Sequence, residues 1–238
     1  MLRRALVIAV TALATMTAVI AGTGAPATAA PGCAGVQVVF ARGTAESAPP
    51  IGITGLSFNQ ALDDRVHGKS VRTSAVNYPA SSNFSDRLAF AQNVVDGIKD
   101  AQRQITSIAR RCPNTDIVLG GYSQGAVVAT YAVADRIDIP AKYLRYRSYA
   151  PKPLGAEYAE HVSAVVLFGT PSSRWIRQVG APGMKVGAAY RGKTVRYCIT
   201  GDNVCDGSPV GGPTPQHVLY SVNGDTVRAA DFVARRVR

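Results

Sequence analysis

Two hydrophobic patterns alternate along the chain from Val36 to its end. Short apolar runs rich in β-branched residues predict buried strands at Val36–Ala41 (VQVVFA) and Val162–Gly169, and further strands are predicted at Val71–Val76, Asp116–Gly120 (DIVLG) and Thr194–Ile199. Between them lie segments with apolar residues at three- and four-residue steps. The longest, Ser85–Arg111, carries Leu88, Ala91, Val94, Val95, Ile98, Ala101, Ile105 and Ile108 as one stripe of a helix. Arg110 and Arg111 complement the negative end of its dipole, and Cys112-Pro113-Asn114 stops it. Shorter helices are predicted at Ser57–Arg65 and Gln124–Arg136. A terminal helix, with Asp225 as its N-cap, sets Val227, Ala230, Val233, Ala234 and Val237 on one face. Strands that are apolar throughout belong to a mostly parallel sheet covered on both sides, so the fold class is α/β, a three-layer sandwich. Ile137–Glu160 and Ser172–Lys193, rich in Pro, Gly, Arg, Lys and Tyr, fit neither pattern and are predicted as surface connections that are candidates to border a site.

The N-terminus is patterned differently. Arg3 and Arg4 precede an apolar stretch from Ala5 to about Gly22, and Ala27-Thr28-Ala29 reads as a small-x-small cleavage site. Residues 1–29 are therefore predicted to be a secretory signal peptide, and 30–238 a single catalytic domain. A retained membrane anchor is the competing reading, since the apolar run approaches spanning length; the small residues and Pro26 that follow, with no basic stop-transfer flank, favour cleavage. Cleavage removes two Arg and no acid from a net charge of +11, leaving +9. The expected location is secreted, extracellular or in the cell envelope.

Export changes how the four cysteines are read, because an oxidising compartment favours bridges. Of three connectivities, Cys198–Cys205 is the economical pair, flanking a short loop, and it leaves Cys33–Cys112. Chain entropy alone assigns the long loop ~4–5 kcal/mol and the short one ~2–3 kcal/mol. A zinc site is disfavoured by spacing that fits no common Cys/His pattern. At 47% hydrophobic and 17% charged, with 23 Gly and 14 Pro, the 238-residue chain is too large for a disulfide mini-protein, too apolar for a disordered tail and too interrupted for a coiled coil.

Gly121-Tyr122-Ser123-Gln124-Gly125 follows the DIVLG strand and precedes an Ala/Val helix. Gly-x-Ser-x-Gly at a strand–turn–helix junction is a nucleophile elbow: the serine is raised on a strained turn, and larger flanking residues would collide with the neighbouring strand and helix. Ser123 is then the candidate nucleophile, and the Gln124 N–H can donate to a developing oxyanion. A serine hydroxyl needs a base. Of His67, His161 and His217, only His217 follows Ser123 with loop acids between. His67 reads as a surface histidine and His161 as structural. Asp202 and Asp206 both qualify as the acid; Asp202 is preferred, because it follows a strand directly and lies inside the Cys198–Cys205 loop.

The elbow, the Cys198–Asp202–Cys205 segment, His217, Ala41-Arg42-Gly43-Thr44 and Cys112-Pro113 together resemble the cutinase family of the α/β-hydrolase superfamily. Asn77-Tyr78-Pro79 and Leu167-Phe168-Gly169 are similar to its actinobacterial members. The resemblance implies a small secreted serine esterase with a five-stranded parallel sheet, Ser123 as nucleophile, His217 as base, Asp202 as acid, and Thr44 with Gln124 as the oxyanion hole. The family often carries serine where Thr44 stands; the hydroxyl is kept, and the added methyl narrows the site. This chemistry needs no metal or cofactor. Expected substrates are short- to medium-chain acyl esters, with polyesters and lipids as further members, acted on by a monomer. A thioesterase, phospholipase or acyltransferase would use the same residues. A non-catalytic secreted protein that binds lipid or envelope is the reading from another class. Lys142–Pro153 (KYLRYRSYAPKP) has no counterpart that can be placed in the family. It suits a solvated surface loop, and also contact with a cell-envelope or anionic lipid surface; export argues against nucleic acid.

Overall fold

A computed structural model of the chain describes residues 32–46 and 48–238. The leader assigned to residues 1–29 lies outside the described residues. Five strands, β1 (Val36–Ala41), β2 (Val71–Ala75), β3 (Asp116–Tyr122), β4 (Val162–Phe168) and β5 (Thr194–Tyr197), form one sheet in the order β2-β1-β3-β4-β5. Every pairing is parallel. The register sets Ala41 beside Gly121, Tyr122 beside Phe168 and Phe168 beside Tyr197. The last residues of four strands are thus level, at the carboxyl edge where open α/β sheets bind ligands.

Helices cover both faces, which is why β3 is buried at every residue. The packing of α2 (Arg87–Arg111) and α3 (Gln124–Ala132) on one side buries Val94, Ile98, Ala101 and Ile105 against Val39, Leu119 and Leu167. On the other, α1 (Gly52–Asp63) and α6 (Asp225–Ala234) pack Phe58, Leu62, Ala230 and Val233 against Val38, Phe40, Val118 and Val166. An aromatic group closes this second layer near the carboxyl edge. Phe168 lies 6.5 Å from Phe40, 6.0 Å from Phe58, 5.4 Å from Tyr197 and 6.2 Å from Tyr220, centroid to centroid.

Several boundaries differ from those predicted. Helix α1 begins five residues before Ser57, because Gly52, Thr54 and Gly55 pack inward and small residues carry little hydrophobic pattern. Helix α3 ends at Ala132 rather than Arg136, and β5 ends at Tyr197 rather than Ile199, as the chain turns into the bridged loop. The cap of α6 is Gly224, in the left-handed region at φ 87°; Asp225 is the first helical residue, and its carboxylate accepts from Asn223 and Arg228. Leu88 and Ala91 are exposed although they continue the α2 stripe, because α2 outruns the sheet at its N-terminal end. The unassigned segments hold 3₁₀ turns at Ala141–Tyr149 and Ala156–His161, and short helices α4 (Ser173–Val179) and α5 (Ala188–Arg191).

Both bridges are formed, Cys33–Cys112 and Cys198–Cys205, with Cα atoms 5.7 and 5.8 Å apart. The first ties the entry of β1 to the end of α2, at the edge opposite the elbow. There the buried Asp116 carboxylate accepts from Lys69 Nζ, Ser163 Oγ and the Arg238 N–H, which pins the end of the chain to the start of β3. No helix among the described residues is long and apolar enough to cross a membrane.

Phe168 has no solvent contact, and four rings pack on it. Phe168→Ala should lower unfolding free energy by about 3–5 kcal/mol, read from urea melts at constant slope.

Candidate active site

The turn between β3 and α3 carries Ser123 at φ 52° and ψ −116°, a conformation that costs a non-glycine residue free energy and persists only where its surroundings hold it. The flanking glycines show what holds it. A Cβ on Gly121 would stand 2.2 Å from the Gly125 carbonyl oxygen. One on Gly125 would stand 1.9 Å from the Ala41 oxygen and 2.5 Å from that of Arg42. Helix α3 therefore starts in backbone contact with the end of β1. Its first N–H groups, Gln124 among them, have no intrahelical acceptor. The Ser123 N–H donates to the Phe168 oxygen (2.9 Å), locking the elbow to β4.

His217 reaches the serine from the far end of the chain. It sits in a 3₁₀ turn, Pro215–Val218, with its N–H donating to Thr214 and its carbonyl accepting from the Tyr122 hydroxyl at 2.7 Å. Its ring, buried and 5.2 Å from that of Tyr122, places Nε2 2.8 Å from Ser123 Oγ. On the other side Nδ1 lies 3.0 and 2.9 Å from the two carboxylate oxygens of Asp202. An ionised carboxylate only accepts, so Nδ1 carries the ring proton, Nε2 is a free acceptor, and the Ser123 hydroxyl donates to it.

Asp202 has no solvent contact. Its Oδ1 accepts from the Val204 N–H (3.0 Å) and its Oδ2 from the Tyr220 hydroxyl (2.5 Å). Burial pushes the Asp202 carboxyl upward, but the hydrogen bonds from His217, Tyr220 and Val204 outweigh it and hold the group below the ordinary carboxylate value. Burial and the facing Asp202 charge drive the Tyr220 phenol far upward, so it stays a neutral donor. Asp206, the other candidate acid, is exposed and caps the Ser208 N–H at 2.8 Å. His67 is exposed, and His161 ends the turn that enters β4.

Thr44 lies in the loop after β1. Glu46 braces that loop by accepting from the Gly43 N–H (2.6 Å) and the Ile53 N–H (3.0 Å). Arg42 donates to the Tyr78 and Pro79 oxygens, and the Ala45 N–H donates to Ala80 across to the next loop. That second loop returns to the elbow, with Gln124 Nε2 3.5 Å from the Ser81 oxygen. Tyr122, Tyr220 and Glu46 were not singled out in the sequence. Tyr220 stands three residues beyond His217 and is readable only once the turn is known; Glu46 carries no spacing signal at all.

The three side chains meet at the carboxyl edge of the sheet, with Ser123 half-buried and His217 and Asp202 buried. A cavity of about 470 Å³ lined by Asn77, Tyr78, Pro79, Asp96 and Arg103 contains none of them. Apolar side chains instead stand exposed on both sides: Phe84 and Leu88 before and within α2, and Val218, Leu219 and Val222 beside His217. Among the described residues no cluster of His, Cys, Asp and Glu could hold a metal.

Two substitutions test this arrangement. Gly125→Ala should unfold the elbow or displace α3, with loss of thermal stability and of Ser123 reactivity together. Tyr220→Phe removes one of the donors that lower the Asp202 carboxyl. A lowered carboxyl contributes stability that is complete above its unfolded value, near 4, and is lost as pH falls through its folded value. With the folded value raised in the variant, the acid loss should begin at higher pH, read from paired melts between pH 7 and 3.

The Cutinase family matches residues 32–237. Probable carboxylesterase Culp7 of Mycobacterium tuberculosis is 45% identical over 175 residues, covering 73% of this chain and 88% of its own length. Carboxylesterase Culp1 of the same organism is 37% identical over 233 residues, covering 97% and 94%. A solved structure of Trichoderma reesei cutinase in complex with a phosphonate inhibitor aligns with a TM-score of 0.62 at 31% identity, over 87% of this chain and 78% of that one. The match over residues 32–237, with these relatives, shows that the chain belongs to the cutinase family of serine ester hydrolases.

Proposed function

We propose that the protein hydrolyses carboxylic esters through an acyl-enzyme on Ser123. One observation carries this reading: Ser123 Oγ, on a strained turn, lies 2.8 Å from a histidine nitrogen whose ring is held from behind by a buried carboxylate. His217 Nε2 takes the Ser123 proton as Oγ attacks the ester carbonyl. Asp202 keeps the imidazole in the Nδ1–H tautomer and stabilises the cation that forms. The backbone N–H groups of Gln124 and Thr44, with the Thr44 hydroxyl, receive the negative charge that develops on the carbonyl oxygen. His217 then gives its proton to the departing alcohol. Water, deprotonated by the same nitrogen, releases the acid and restores the serine.

The exposed apolar residues Phe84, Leu88, Val218, Leu219 and Val222 suit an apolar acyl chain, and short- to medium-chain esters, with polyesters and lipids, are the substrates proposed. A phospholipase reading has one specific support: a relative named phospholipase Culp4, of Mycobacterium tuberculosis, is 38% identical over 215 residues, covering 89% of this chain and 84% of its own. The leader-like residues 1–29 and the two bridges support a site of action outside the cytoplasm, extracellular or in the cell envelope.

Ser123→Ala should lower kcat/KM for a soluble short-chain ester by on the order of 10⁵–10⁶-fold while leaving the melting curve in place. A fluorophosphonate should label the parent protein at Ser123 and leave the variant unlabelled. An unlabelled parent protein that turns over no ester would overturn the reading. Rates on matched oxyester and phospholipid panels of increasing chain length separate the two substrate classes.

A further inference from the structure

The connection between α3 and β4 does not take the short way. Helix α3 descends from the elbow, and β4 starts at the opposite edge, yet the chain between them climbs back to the catalytic rim. Three contacts place it there. The Lys142 ammonium lies against Gly180, at the end of α4, such that a Cβ there would stand 2.7 Å from Nζ. The Tyr143 phenol faces Arg87, in the first turn of α2, and the Arg87 hydrogen bond with the Lys142 charge holds it below its ordinary value. Further along, the Lys152 oxygen accepts from Gln102, midway down α2, as the segment descends again. The 3₁₀ turn Ala141–Tyr149 thus reaches from the first turn of α2 to the end of α4.

The composition of this excursion has no packing explanation. None of its nine residues is buried. Between Asp138 and Glu157 the chain carries no acid but has Lys142, Arg145, Arg147 and Lys152. None of the first three, nor Arg87, forms an ion pair with a described carboxylate. Lys142 and Arg145 instead sit 4.8 Å from the ring centroids of Tyr143 and Tyr146. Among these cations stand apolar groups that keep much of their surface in solvent: Leu144 is 50% exposed, Leu88 45%, Tyr149 58% although its ring meets Tyr146, and Phe84 60% although its ring meets Phe90. Unpaired cations interleaved with exposed aromatic and aliphatic side chains match an anionic bilayer surface, where headgroups meet the charges and the acyl boundary takes the apolar groups.

We propose that this rim, Ala141–Tyr149 with Phe84, Arg87 and Leu88, docks the protein on an anionic phospholipid bilayer. Docking turns the open face of Ser123 toward esters held in or on that surface; this orientation rests on the esterase reading above, whereas the docking itself does not.

The test measures binding of the full mature chain to phosphatidylglycerol-containing vesicles and to pure phosphatidylcholine vesicles by sedimentation. The parent protein should bind the anionic vesicles, more weakly as salt rises. A rim variant, Lys142→Gln/Arg145→Gln/Arg147→Gln, should lose about fivefold per cation, about 10²-fold in all. Leu144→Ser/Tyr149→Ser should weaken binding further at high salt. A control with the same net charge, Arg111→Gln/Arg191→Gln/Arg235→Gln, removes exposed cations from the opposite edge and should bind as the parent does. Equal losses in the two triple variants, or equal binding to both lipids, would overturn the proposal, as would a rim whose loss weakens binding to a DNA duplex but not to vesicles. Hydrolysis of a soluble short-chain ester, measured in parallel, should be unchanged in every variant. If that hydrolysis persists while the vesicles go unbound, the docking proposal falls alone; if Ser123 proves inert while the vesicles are bound, the esterase reading falls alone.

Discussion

A charged carboxylate removed from water must be compensated from every side, or it protonates or unfolds its surroundings. Asp202 is such a group, and the functional end of the molecule is organised around it. The imidazole of His217 spans both carboxylate oxygens, the Tyr220 hydroxyl takes one and the Val204 N–H the other. Each donor is committed elsewhere too. Tyr220 also accepts from the Ile199 N–H and packs on Phe168; His217 is held through its carbonyl by Tyr122, the residue immediately before the nucleophile. One buried charge therefore joins the bridged loop, the histidine turn and the elbow into a unit whose parts cannot be repositioned singly.

Much of this was legible in the sequence because it is written in local pattern. The central strands β1, β3 and β4 are legible as apolar runs, since a parallel strand covered on both faces tolerates little else, whereas the edge strands β2 and β5 are half-buried and more polar. The elbow was legible for a steric reason: only glycine fits at positions 121 and 125, where backbone from β1 and α3 closes to within 3 Å of where a Cβ would be. Asp202 and Asp206 are both legible as candidate acids, and the structure separates the two by burial.

What the sequence concealed is what depends on tertiary approach. Tyr220 and Glu46 act through hydrogen bonds to groups whose proximity no spacing encodes. The start of α1 was missed because glycine and threonine, not large apolar residues, face the sheet there. Leu88 was misread because periodicity reports the face of a helix but not where the sheet beneath it ends. The climb of residues 141–149 to the rim was invisible for a related reason: its side chains are turned outward, and an outward-facing segment leaves no hydrophobic period to read.

The two disulfides divide durability from competence. Cys33–Cys112 spans 79 residues and fastens the passive edge of the sheet, so its influence falls on how readily the whole chain comes apart. Cys198–Cys205 spans seven and restricts the unfolded chain less, yet it encloses the carboxylate that lies behind the histidine ring. In a mildly reducing setting, such a molecule has two independent modes of ageing. It can persist intact in shape while falling silent, or remain capable until its architecture gives way. Which it undergoes is decided by which sulfur pair is reached first.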